Sequence, residues 1–245
     1  MTGQPADGRL LVVDWDYFYP VPPSCTPAFG WFDWAHAESP LFIQPTLWYG
    51  RAADFVARGL PLPSVNLDWE EWWCRFDIAP DAPLFVAESN CAAVSDEIGP
   101  VSEVWLFDAH HDCGYNKAKA TKAVTTGTYS CEDWMLYYGY QLGPRALHVR
   151  YPLHRPNAFK EEPKPALPGV DRRFYDEREP TPRFDRMFIC HSGAWVPPWC
   201  DQQFDQFVSR AGRPAQHLPP AIEREWDQQQ LDTYVSAFQQ VLNGL

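Results

Sequence analysis

Leu10-Leu11-Val12-Val13, ended abruptly by Asp14-Trp15-Asp16, is the stretch on which the fold turns. A short apolar run closed by charge has the character of a central strand in a parallel sheet, buried on both faces. Runs of the same kind recur at Leu84–Ala87, Val104–Phe107, Ala146–Val149 and Met187–Cys190. Each ends in polar residues, and ligand sites in such sheets lie at the carboxyl ends of the strands.

Helical patterns separate these runs. Thr46 to Arg58 sets Trp48, Ala52, Phe55 and Val56 on one face and stops at Gly59. Ser130-Cys131-Glu132-Asp133 has the form of a capping box opening a helix through Met135, Leu136 and Leu142. Asp201 to Arg210 carries Phe204, Phe207 and Val208 on one stripe, and Leu231, Val235, Phe238 and Leu242 recur at helical spacing up to Gly244. The alternation predicts an α/β fold, a three-layer sandwich around a mainly parallel central sheet. A single domain over 1–245 is expected, interrupted by a Pro-rich excursion at about 152–185 that holds seven prolines. That excursion reads either as a passive surface insertion or as a lid beside a site.

Composition narrows the function classes. The chain has 245 residues, 45% hydrophobic and 21% charged, enough for a sizeable core. Its 32 acidic against 20 basic residues give a net charge of -12, which disfavours nucleic-acid binding and favours a cationic substrate. No run approaches a membrane span, and the polar Met1–Arg9 lacks the apolar centre of a signal peptide. Seven widely spaced cysteines without a CxxC pair argue against a disulfide framework or a thiolate zinc site. A cytoplasmic location is therefore expected, while the oligomeric state stays open. The twelve Trp are consistent with aromatic walls around a ligand or with core packing.

Two acidic clusters follow strands. Asp14-Trp15-Asp16-Tyr17-Phe18 follows the first, and Asp108-Ala109-His110-His111-Asp112 follows the Val104–Phe107 run. In extended backbone, residues i and i+2 point the same way, so each cluster is expected to aim its carboxylates at one spot. Four converging carboxylates repel by several kcal/mol, and a pair of divalent cations removes that penalty. Oxygen ligands with one or two imidazoles suit Mn²⁺ better than a thiolate-seeking metal. Acids after a strand also cap the following helix, and for the first cluster alone that reading competes.

Asp108-Ala109-His110-His111-Asp112 resembles the DAHxD signature of the ureohydrolase (arginase-like) superfamily, and Asp14-Trp15-Asp16-Tyr17-Phe18 with Pro20 resembles its DxDxxDP element. Val13-Asp14-Trp15-Asp16-Tyr17-Phe18 and Ser130-Cys131-Glu132-Asp133-Trp134 look most like the shorter relatives that include the peptide arginases. The resemblance implies an arginase-like fold, two Mn²⁺ ions per chain, and hydrolysis of peptidyl arginine to ornithine and urea. The implied partner is an arginine-containing precursor peptide of natural-product biosynthesis. Asp108 and Asp14 would bridge the metals, Asp112 would complete one ion, and His110 and Asp16 the other. A water made acidic by both cations would attack the guanidinium carbon.

Three departures stand beside the likeness. The DxD strand precedes the DAHxD strand, opposite to the classical order, so a rearranged strand order is expected. Where the family places a further metal-binding His, this chain has Glu88-Ser89-Asn90. Asn90 is then expected as a ligand through its amide oxygen, with Glu88 at the substrate or in the missing ligand's place. No segment resembles the clamp for a free amino acid's α-groups. His191, after Met187–Cys190, is the candidate proton shuttle, and Trp195 the candidate wall for an arginine side chain through cation–π contact. His111 is expected to point away.

Two other classes compete. A haloacid-dehalogenase-like phosphohydrolase also carries DxD after its first strand, but gives no reason for Asp108–Asp112. A non-catalytic, metal-stabilised peptide-binding protein would explain the missing His near Asn90.

Overall fold

The computed structural model describes residues 8–20, 47–219 and 224–243. Seven strands form one sheet: β1 (Arg9–Asp14), β2 (Leu84–Ala87), β3 (Glu103–Phe107), β4 (Leu147–Tyr151), β5 (Asp171–Phe174), β6 (Arg186–Cys190) and β7 (Ala215–His217). Every pairing is parallel, in the order β5-β4-β3-β1-β6-β2-β7.

All five expected strands are present. Their side chains divide by period two between the sheet faces. Leu10 and Val12 join a core with Phe85, Leu106, Val149 and Phe188, whereas Leu11 and Val13 join one with Val86, Phe107, Ile189 and Phe207. Burial of both faces is the reason the strands read as unbroken apolar runs.

Among the described residues, six helices flank the sheet: α1 (Trp48–Ala57), α2 (Lys117–Thr126), α3 (Met135–Leu142), α4 (Ala158–Glu161), α5 (Asp201–Arg210) and α6 (Gln228–Asn243). Trp134, Met135 and Tyr138 at α3 pack on the Leu10 face, while Phe204 and Phe207 of α5 pack on the Leu11 face. The result is a three-layer α/β sandwich. Tyr49, Ala52 and Ala53 of α1 enclose Leu231 of α6 in a smaller cluster. Residues 21–46, Thr46 among them, the side chain of Leu242, and Gly244 lie outside the described residues.

Three expectations need correction. The capping box closes a turn before its helix: Asp133 Oδ1 accepts from the Ser130 N–H (2.7 Å), and α3 begins only at Met135. The 152–185 excursion is not without secondary structure: it contains α4 and the edge strand β5. Residues Trp15–Phe18 form a 3-10 turn, so Asp14 and Asp16 do not share an extended strand.

The aromatic excess serves packing first. Trp15, Trp48, Trp72 and Trp134 are fully buried, and Trp15 contacts Phe18, Trp69, Phe204 and Phe207 with ring centroids 5.1 to 6.1 Å apart.

Candidate metal centre

From β1 the chain crosses toward β2 on one side, and from β3 toward β4 on the other. The gap between β1 and β3 is therefore a topological switch point, where the loops part and leave a crevice beyond the carboxyl ends. Val13 pairs with Phe107, so Asp14 and Asp108 both emerge at that crevice.

Asp14 caps the 3-10 turn, its Oδ1 accepting from the Asp16 N–H at 3.0 Å. The cap reading and the convergence of carboxylates thus hold together. The turn swings Asp16 toward the β3 loop, where its Oδ1 accepts from the Ala109 N–H (3.3 Å) and its Oδ2 lies 2.9 Å from His110 Nδ1. Asp108 Oδ1 lies 3.3 Å from the same nitrogen and accepts from the His110 N–H at 2.7 Å. Asp16, Asp108 and His110 each offer a ligand atom within 4.8 Å of the others, so this group can hold a cation.

A second convergence shares Asp108. Asn90 Nδ2 lies 2.6 Å from Asp14 Oδ2 and 3.1 Å from both Asp108 Oδ2 and Asp112 Oδ2. Two amide hydrogens face three carboxylate oxygens, while the buried Asn90 Oδ1 has no hydrogen-bond partner. Trp134, delivered by the turn before α3, donates its indole N–H to Asp112 Oδ2 at 2.7 Å. The two non-glycine residues with left-handed φ among the described residues are Asp112 (48°) and Ser192 (57°). Asp112 is itself a member of this group.

Burial and mutual repulsion shape the charges. Burial, then the neighbouring Asp16, hold the Asp14 carboxyl well above the usual range; Asp108 is raised by burial and by Asp16, Asp112 and Asp14. Asp112 is pushed up to about 7, chiefly by burial. Asp16 goes the other way. Burial opposes its ionisation, but His110 and the Ala109 N–H together outweigh it and lower the pKa. Three of the four carboxylates, Asp14, Asp108 and Asp112, therefore resist ionisation, a penalty that a nearby cation would relieve.

The remaining expected residues divide. Trp195 stands beside His110, ring centroids 6.2 Å apart, at the edge of the cluster. His191 is committed elsewhere: Nδ1 lies 2.8 Å from Glu88 Oε1 and Nε2 lies 3.1 Å from Asp201 Oδ1, with Arg224 paired to Asp201. Burial works against its protonation, but the Asp201 and Glu88 hydrogen bonds prevail and raise its pKa. With Glu88 on Nδ1 and both Asp201 and Arg224 within reach of Nε2, the latter at 2.8 Å, His191 is a bridge in an ion network. His111 does point away, with Nδ1 accepting from the Cys113 N–H and Nε2 donating to the Pro163 carbonyl at 3.0 Å. Burial lowers its pKa to about 3, so it stays neutral.

Sequence reasoning missed the outer partners. Trp134 closes the Ser130–Trp134 stretch and had a usable signal, an indole one residue past a capping box. Tyr115 and Glu162 had none. The Tyr115 hydroxyl lies 3.5 Å from Asp112 Oδ1 and 3.3 Å from Glu162 Oε1, and Tyr151 donates to Glu162 Oε2 at 2.6 Å. Burial raises the Glu162 pKa. Compared with family models, curated proteins and solved structures, the chain has no match.

Proposed function

We propose that this chain is a hydrolase working with two divalent cations, Mn²⁺ best, that converts arginine side chains within a peptide to ornithine and urea. The observation that carries this reading is the division of Asp108: Oδ1 belongs with Asp16 and His110, Oδ2 with Asp14, Asp112 and Asn90. One carboxylate shared by two convergent groups is what a pair of ions requires. Asp16, Asp108 and His110 would hold one ion; Asp14, Asp108, Asp112 and Asn90 the other. Rotating the Asn90 amide would turn its unpartnered Oδ1 toward the three carboxylates' cation. Bound divalent cations at such a site acidify water and polarise the bond to be broken.

The protein's own groups supply the rest. Trp195 beside His110 offers an aromatic face for a guanidinium, and the net charge of -12 draws a cationic side chain in. An arginase-like arrangement is supported by the adjacency of β1 and β3, which brings the two signatures together although their chain order is reversed. The phospho-aspartate reading of Asp14 leaves Asp112, His110 and Asn90 without a task.

The deciding experiment is mass spectrometry of arginine-containing peptides incubated with Mn²⁺-loaded protein. Each converted residue loses about 42 Da, the difference between guanidine and amine after hydrolysis. Faster turnover of free arginine than of every peptide would overturn the peptide assignment. Absence of any urea from either, with metal bound, would favour a binding protein over an enzyme.

A further inference from the structure

The 152–185 excursion grips the loop that carries the DAHHD ligands at successive points. Arg155 donates to the Ala109 carbonyl, the Pro163 carbonyl accepts from His111, and the Ala166 N–H donates to the Gly114 carbonyl at 2.9 Å. Between these anchors, Glu162 meets Tyr115, and Tyr115 meets Asp112. The Tyr115 hydroxyl has one hydrogen and two carboxylates within reach. Tyr151, donating from β4, holds the far oxygen of Glu162, and Arg172 donates to the Tyr151 hydroxyl at 3.3 Å. Asp112 has a left-handed φ, a conformation that a non-glycine residue keeps only where its surroundings enforce it.

We propose that residues 155–166 are an outer strap on the ligand loop, and that Tyr115 on the loop and Glu162 on the strap are positioning residues that fix the Asp112 carboxylate for its cation. The inference rests on the metal reading above. Partners of this outer kind orient a ligand carboxylate, and their loss typically weakens metal affinity about 10- to 100-fold.

Mn²⁺ titration by calorimetry on the full chain tests it, with no substrate needed. Tyr115→Phe keeps the ring, which lies tilted against His111 with centroids 4.3 Å apart, and removes only the hydroxyl. It should weaken one Mn²⁺ about tenfold and leave the other unchanged. Glu162→Ala should do the same. Glu162→Gln should retain affinity within about threefold, since its amide can donate to Tyr115 while its oxygen still accepts from Tyr151. Tyr115→Phe carries the test if Glu162→Ala fails to fold. Wild-type affinity for both ions in Tyr115→Phe would overturn the strap proposal and leave the metal reading standing. Failure of the wild type to bind Mn²⁺ would overturn both.

Discussion

Asp14 and Asp108, 94 positions apart in the chain, are held to one Asn90 amide nitrogen at 2.6 and 3.1 Å. The contact stands at the head of the crevice between β1 and β3, one step beyond the Val13–Phe107 pair. This amide and the Trp134 indole N–H are the donors that face the second group of carboxylates.

Native protein should carry about two transition-metal ions per chain, and Mn²⁺ should give the highest activity. Elemental analysis of the purified protein checks this. Metal-free protein that gains neither bound ions nor activity from added Mn²⁺ would exclude the centre.

The metal-free protein should lose stability as the pH rises. Asp14, Asp108 and Asp112 have folded-state pKa values above the ordinary carboxylate range, Asp112 at about 7. Their contribution is fully present below the unfolded pKa and is lost as the pH passes the folded value. Asp16, with its lowered pKa, stays ionised through that window. Thermal unfolding in chelator should therefore show Tm falling between about pH 5 and pH 8, and Mn²⁺ should remove most of the fall. A flat chelator profile would show that the carboxylates are not clustered.

Asp108→Ala should lose both ions and at least about a thousandfold in activity, since several kcal/mol of transition-state stabilisation disappear. Its metal-free Tm at pH 7 should be no lower than that of the wild type, because the deleted carboxyl is one that its neighbours repel. Retained activity would remove Asp108 from the reacting centre.

Asn90→His should tighten one Mn²⁺ and Asn90→Ala should loosen it, because imidazole is a stronger donor than an amide oxygen. The ion held by Asp16 and His110 should be unaffected in both. Calorimetric titration decides the matter: equal affinities in all three proteins would remove Asn90 from the ligand set.

His191→Ala should act on stability. Removing the bridge between Glu88 and Asp201 leaves two largely buried carboxylates facing Arg224 alone, a loss of about 3 kcal/mol. Since the His191 pKa is raised, the difference from wild type should be largest at acidic pH and shrink as pH rises through the folded value. An unchanged Tm with a lost limb of the pH–rate profile would restore His191 as the proton shuttle.

Leu10–Val13 and the four runs like it were legible because burial on both faces leaves an unbroken local record of apolar residues. The clusters at Asp14 and Asp108 were legible for a related reason, as charges placed where a buried strand must end. β5, with the sequence Asp171-Arg172-Arg173-Phe174, and β7, Ala215-Gln216-His217, left no such record. They are sheet edges, half exposed, and their place is set by backbone pairing with β4 and β2.

By itself, then, the sequence determined the layers, the central strands and the carboxylates at their ends, all of which depend on neighbours a few residues away. Tertiary structure alone decided that β1 lies beside β3, that a 3-10 turn redirects Asp16 to His110, and that His191 belongs to Glu88 and Asp201. It also brought Glu162 from a Pro-rich segment to Tyr115 and so to Asp112. Those relations rest on which crossovers close and where side chains meet after chain separations of up to 103 residues. No local pattern of hydrophobicity or charge encodes a distance of that kind.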